Sequence, residues 1–435
     1  MHAAPVRSAL LAAATALLSL PAAADTLHVP QDHATIQAAV DAAADGDTIR
    51  VSAGTYPEAL LVSGKSGLIL KALGKVVLDA GGAADNGVRL SDAPDTQLIG
   101  LRVTGALDAA FEADDCPGLQ LVRCRSEGSL GDGFHVKTSD GARVDHCRVE
   151  ATLGNGIRLF DTDAATLSRC RVEGVATGVF AEGCAGLLVE RNVLLDVQSW
   201  GLLLGVTLAD QVNASQILRN TIGTDARISI GIELRGVDNV LERNVIRDVD
   251  GNGLEVDNES TGNTLRRNRV LRATGTGFSG GGASTTLEDN RFVDVEGNGI
   301  ESDRDGLVLL RNRVLRAGGI GIDCNSLGAT VTDNRIVGAG LVGLRANSNA
   351  GVSTLADNRV VASVLDGLLI LCDNSAFTGN VVVGAGDDGF ELDAGTTGNV
   401  LTDNRASGSA GFDLRDDSAG ANSVDASNHF KTTGP

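Results

Sequence analysis

The chain has 435 residues, 43% of them hydrophobic and only 3% aromatic, and a formal charge of −20. That charge argues against nucleic acid as a partner, because phosphate binding needs basic stripes and the 36 Lys and Arg are scattered through the whole sequence. After residue 24 no apolar stretch approaches the roughly 20 residues of a membrane span, so no span is expected.

In chain order, residues 1–24 carry Arg7, an apolar run from Ala9 to Leu20 and Ala22-Ala23-Ala24 before Asp25, the pattern of a secretory signal peptide with an A-x-A cleavage site. The mature chain is therefore expected to be secreted or periplasmic. Between Ala34 and Ala44 the apolar residues Ile36, Ala39, Val40 and Ala43 share one helical stripe and Gly46 suits a stop, which predicts an N-terminal helix. Thr48–Val51 and Ala59–Val62 follow as the first strands, closing an N-terminal segment over 25–62.

From 63 to 435 the chain is a repeat. Asparagine recurs at 220, 244, 268, 290, 312, 334, 358, 380, 404 and 428, in steps of 22 or 24 residues. Nine residues after most of these comes a glycine followed by an apolar residue, as at Gly253, Gly299, Gly343 and Gly389. A period of this size means stacked units that cannot bury their apolar faces alone. A leucine-rich repeat shares the period, but here Val, Ile or Phe follows the asparagine, as in Asn244-Val245-Ile246, and the rest of each unit is Gly, Thr, Asp and short alternating runs.

The prediction is all-β: a right-handed parallel β-helix with coils about 4.8 Å apart, one elongated and monomeric rod whose open N-terminal edge is covered by the capping helix. Inward asparagines at one corner then bond the turn backbone and one another, a structural role. Cys124, Cys147 and Cys170 continue the same phase towards the N-terminus, which predicts buried thiols with no zinc-ligand spacing.

The stretch Thr35-Ile36-Gln37-Ala38-Ala39-Val40-Asp41-Ala42, with Asp45-Gly46-Asp47-Thr48-Ile49 and Gly54-Thr55-Tyr56-Pro57-Glu58, resembles the start of the pectin-lyase-like superfamily. That superfamily includes pectinesterases, polygalacturonases, pectate lyases and NosD-like periplasmic proteins. The Gly54–Glu58 segment is similar to the Gly-x-Tyr-x-Glu segment of pectinesterases, whose later motifs are missing here. Asp387-Asp388-Gly389 resembles the aspartate pair of polygalacturonases, whose Asn-Thr-Asp, Gly-His-Gly and Arg-Ile-Lys partners are missing too.

Side chains two and four residues after the recurring glycine point outward from one strand of each coil. This ledger face carries Arg89 with Ser91, Glu112 with Asp114, His135 with Lys137, Arg158 with Phe160 and Phe180 with Glu182. It continues through Glu233 with Arg235, Glu255 with Asp257, Glu301 with Asp303, Asp323 with Asn325, Arg345 with Asn347, Glu391 with Asp393 and Asp413 with Arg415. Stacked carboxylates repel unless a cation, a ligand or solvent relieves them.

Two candidate sites follow. In the first, Glu255, Asp257, Glu301, Asp303 and Asp323 hold calcium, or Glu301 and Asp323 act as general acid and base, since hard cations take carboxylate oxygens and glycosidases need paired carboxyls. In the second, His135, Lys137 and Arg158 stack beside Glu112 and Asp114, where a lysine or arginine flanked by cations loses enough basicity to abstract a sugar-ring proton while the carboxylates hold calcium against the substrate acid group. The bland alternatives are a solvated strand face and a surface ion-pair patch.

The expected partner is a linear polysaccharide or cell-surface glycan, and the expected activity that of a polyuronate lyase or epimerase. The rival is a non-catalytic scaffold, either a NosD-like accessory or an adhesin. The scarcity of aromatic platforms counts against a strong sugar cleft; only Phe160, Phe180 and Trp200 lie near the ledger.

Overall fold

Three short strands make one coil, and each strand pairs in parallel with its counterpart one coil on. A computed structural model describes residues 24–82, 84–223, 228–347 and 352–435, so the expected signal segment lies outside the described residues except for Ala24. In a typical coil Val308–Leu310 pairs with Thr330–Thr332, Arg313–Ala317 with Arg335–Val337, and Ile322–Cys324 with Leu344–Ala346. Parallel pairing starts with Thr26–Val29 on Thr48–Tyr56 and runs to Leu414–Asp416 on Thr433–Gly434, making a β-solenoid of about 17 turns.

Inward positions alternate with outward ones and fill the interior with stacked apolar columns, such as Leu309, Val331, Leu355, Phe377 and Leu401, none more than 1% exposed. The recurring glycine is a matter of space. A Cβ at Gly299 would lie 2.3 Å from a Val314 methyl and 2.4 Å from the Gly321 carbonyl, so the coils close there only without a side chain.

The asparagine ladder runs unbroken from Asn192 to Asn428. At Asn312 the side-chain oxygen accepts the N–H of Asn290 and its Nδ2, both at 3.0 Å, while Asn312 Nδ2 donates to the Leu287 carbonyl at 2.8 Å and to Asn334 Oδ1 at 3.1 Å. The residue before each asparagine from Asn192 to Asn404 turns the corner in the left-handed region, as Arg311 does with φ 55°, a cost that the fully satisfied amides offset. At Gly379 that cost vanishes. Asn239 and Asn263 form a second, shorter ladder, with Asn239 Nδ2 donating to Asn263 Oδ1 at 3.1 Å, which the sequence pattern did not bring out.

Towards the N-terminus the thiols take over. Cys124, Cys147 and Cys170 are buried and free, and their Sγ atoms face the Leu98, Leu121 and Val144 carbonyls at 3.3 to 3.5 Å. Burial pushes the Cys147 thiol well above its ordinary value, so it stays protonated and inert.

The single helix among the described residues is shorter than the 34–44 span expected, covering Ile36–Ala42. It ends early because Ala43 is already extended, with ψ 142°. Glu58 accepts the N–H groups of Ile36 and Gln37 at 2.8 and 3.0 Å, and the Tyr56 hydroxyl donates to the Ser52 carbonyl at 2.9 Å. The Gly-Thr-Tyr-Pro-Glu segment thus ties the helix N-terminus to the first strands. No helix among the described residues is long and apolar enough to cross a membrane.

Two details depart from the sequence reading. The 24-residue final step places Arg415 opposite Glu391, so Asp413 sits in the turn and not on the ledger. The arginines that look scattered in the sequence stand in columns on the strand after the asparagine, as Arg269, Arg291, Arg313, Arg335 and Arg359 do.

Candidate functional site

The ledger is a real column. Register joins Arg89, Glu112, His135, Arg158, Phe180 and Leu203 in one line, and continues it through Glu233, Glu255, Ser279, Glu301, Asp323, Arg345, Leu369, Glu391 and Arg415. Three residues before most ledger positions lies a corner residue just ahead of the recurring glycine. The Asn155 amide donates to Asp132 at 2.9 Å, whereas at several other Asn corners the Oδ1 takes a backbone N–H of the next coil and the amide reaches a ledger glutamate. Asn252 does so with Glu255 at 3.0 Å and Asn298 with Glu301 at 2.9 Å.

The middle coils therefore answer their own charge. Asp257 meets Arg235 at 2.6 Å; burial works against its ionised form, but Arg235 and the Glu259 N–H outweigh it and hold Asp257 below the usual carboxylate range. Asp323 is buried, and both its oxygens are taken by Arg345, through Nε at 2.8 Å and Nη2 at 2.5 Å. Asp303 is exposed, 3.6 Å from Arg304. Glu255, Asp257, Glu301, Asp303 and Asp323 share a face, but the repulsion inferred for them is relieved largely by neighbouring arginines and amides. Near the start of this stretch the Trp200 indole donates to Glu233 at 2.6 Å, while burial pushes Glu233 above its ordinary value against that bond.

At the N-terminal end the predicted cluster assembles. His135 stacks between Glu112 and Arg158, with Lys137 over Asp114. Burial lowers His135, whose Nδ1 lies 4.0 Å from Asp132, and leaves it neutral at pH 7. Lys137 behaves opposite to a lysine flanked by cations. Burial pulls it down, but Glu112 at 3.0 Å and Asp114 at 3.3 Å outweigh that and hold it above its ordinary value. It remains an ammonium, suited to holding an acid group and unsuited to abstracting a proton. Arg158 pairs with Glu182 at 3.2 Å and lies 5.3 Å over the Phe180 ring.

The tightest acidic group among the described residues lies further on. Asp366, Asp388 and Glu391 place one ligand oxygen each within 4.8 Å of one another. Asp366 and Asp388 are corner residues, and one oxygen of each is fixed by the next coil: Asp388 N–H on Asp366 at 3.1 Å and Phe412 N–H on Asp388 at 2.6 Å. Where Asn298 offers an amide to Glu301, Asp388 offers Glu391 a second carboxylate. Burial, then the charge of and hydrogen bond to Asp366, push Glu391 up to about 7. Burial raises Asp366 as well. Arg415 is the adjacent cation, 3.8 Å from Asp388. The sequence reading noted Asp388 and Glu391 but missed Asp366; the signal was the change from Asn to Asp at one phase of the repeat.

The profile described as right handed beta helix region matches residues 86–225, 204–360 and 276–433. The chain belongs to the right-handed β-helix family. The solenoid is thus right-handed, and the likeness to pectin-lyase-like repeats holds for the fold. Similar solved structures include the A-module of the Azotobacter vinelandii mannuronan C-5 epimerase AlgE6, at 15% identity and TM-score 0.41, covering 86% of this chain and 94% of that one. Others are the Streptococcus pneumoniae surface adhesin PfbA (11%, 0.43, 90% and 91%) and the catalytic domain of a GH87 α-1,3-glucanase (11%, 0.44, 90% and 70%). Likenesses at this level assign no activity to the chain. A comparison with curated proteins finds no significant match.

Proposed function

We propose that this β-helix lays a linear polysaccharide along its ledger face and carries out proton transfer on it at Asp366, Asp388 and Glu391, as a polyuronate lyase or epimerase does. The observation that carries this reading is Glu391, which sits near 7 among carboxylates on an open strand face. A carboxyl poised at working pH can give or take a proton. Asp388, with one oxygen locked to the Phe412 N–H, is the fixed partner, and the partly exposed Arg415 offers a guanidinium to a uronate carboxylate. Phe180 on the column, and Trp200 beside it with its indole on Glu233, provide ring faces for sugars. Secretion or a periplasmic location, and a capping role for Ile36–Ala42, belong to the same reading.

A second reading rests on His135. It is neutral and beside two cations, Lys137 and Arg158, so it is the base and they hold the acid group of a uronate. Calcium belongs to the proposal through Asp366, Asp388 and Glu391, whose oxygens are close enough to share one hard cation. The rival is a non-catalytic scaffold or adhesin.

The test is turnover on a panel of polyuronates and neutral glycans, following unsaturated products, new reducing ends and, by NMR, inversion of the uronate ring carbon, with wild type, Glu391→Gln and His135→Gln. Loss of turnover in Glu391→Gln alone supports the first centre, and loss in His135→Gln alone the second. No binding of any glycan by wild type removes the reading.

A further inference from the structure

Two arginine columns occupy the same strand at different heights, and they differ in one respect. In the N-terminal column Arg102, Arg125, Arg148 and Arg171 are each matched by an acid, Arg102 with Glu127, Arg125 and Arg148 with Glu150, and Arg171 with Glu173. The sequence reads Arg-x-Glu at Arg125, Arg148 and Arg171, and the protein neutralises its own guanidinium groups.

In the second column Arg269, Arg291, Arg313, Arg335 and Arg359 stack in register and are exposed. The residue two further on is now apolar: Leu271, Val293, Leu315, Val337 and Val361. No carboxylate lies within 4.0 Å of any of these five arginines among the described residues. The nearby Asp289 is already engaged by Arg311 at 3.0 Å and Arg267 at 3.9 Å. Like charges stacked at about 4.8 Å repel, and this chain, with 56 acidic residues, had acids to spare for them. The column also lines a groove in which six arginines face two aspartates.

We propose that this column is a docking track for a linear polyanionic glycan bearing one acid group per sugar, on a face separate from the ledger. One guanidinium per coil offers an anion contact at nearly the advance of one pyranose unit in an extended chain. The flanking, half-buried Leu271 and Leu315 offer apolar surface to the sugar rings. Duplex nucleic acid calls for a broad basic surface, and single strands call for aromatic platforms. The groove has no aromatic lining residue. The occupant is thus matched by charge, spacing and the kind of surface beside the charge.

The test is calorimetric affinity for polygalacturonate at several salt concentrations, with dextran and an oligo-dT as comparators and sedimentation to follow self-association. Wild type is expected to bind polygalacturonate in preference to both. Arg291→Gln with Arg313→Gln and Arg335→Gln is expected to weaken it at least about tenfold and to flatten its salt dependence. The same three changed to Lys should retain most of the binding, and Arg125→Gln with Arg148→Gln, from the paired column, should leave it unchanged. Because removing stacked like charges costs no packing, the triple Gln variant should melt no lower than wild type. Undiminished binding in that variant overturns the proposal. So does tighter binding of oligo-dT, or low-salt dimerisation that the triple variant abolishes without any polygalacturonate binding.

Discussion

Glu391 lies against Asp366 of the preceding coil, two carboxyls where Asn86 and Glu112 place an amide and a carboxylate. Its folded value, about 7, stands above the 4.5 of a free glutamate, so its stabilisation is full below about 4.5 and is lost as pH rises through about 7. The melting temperature should fall between pH 5 and pH 8 more in wild type than in Glu391→Gln. His135, lowered by burial, contributes in the opposite sense around its own titration, which makes the wild-type-minus-variant difference the quantity to measure. Parallel pH curves for the two proteins would contradict the shared-proton arrangement.

Calcium competes with that proton. If Asp366, Asp388 and Glu391 hold it, calcium should raise the melting temperature at pH 8 by mass action, and Asp388→Asn should abolish the gain. An equal gain from sodium at matched ionic strength would reduce the effect to screening.

Asp323→Asn should destabilise the protein by about 1–3 kcal/mol, because it removes the buried carboxylate that holds the half-exposed Arg345 guanidinium by two hydrogen bonds. Asp303→Asn, at an exposed position, should stay within about 0.5 kcal/mol. Denaturant unfolding of the two variants checks this, and equal effects would count against the Asp323–Arg345 pair.

Asn312→Ala should cost about 3 kcal/mol, since it strands the Asn290 N–H and the Leu287 carbonyl inside the solenoid. Urea unfolding reads the loss directly. A change below about 1 kcal/mol would mean that the ladder adds little beyond the packing around it.

Much of this was legible in the sequence because a solenoid writes its geometry as a period. The asparagine steps gave the corner, and strand alternation gave the ledger from Arg89 to Glu391. What escaped was whatever depends on neighbours across coils. Arg345 closes on Asp323 from 22 residues away, so the acidic stretch looked more repulsive than it is. Asp366 mattered only once its place was compared with Asn252 and Asn298 at the same phase. The arginine columns were hidden because each coil contributes one residue, and Asp413 was set on the ledger because a 24-residue step moves the phase by two.

The central claim is that the ledger face works on a glycan through Glu391. The most direct measurement is the pH profile of turnover on the polyuronate that wild type binds best, taken for wild type and for Glu391→Gln. Wild type is expected to show an inflection near 7, and the variant to bind the chain still but turn it over at least about a hundredfold more slowly. Equal turnover by the two proteins, or a wild type that binds no polyuronate, would contradict the claim.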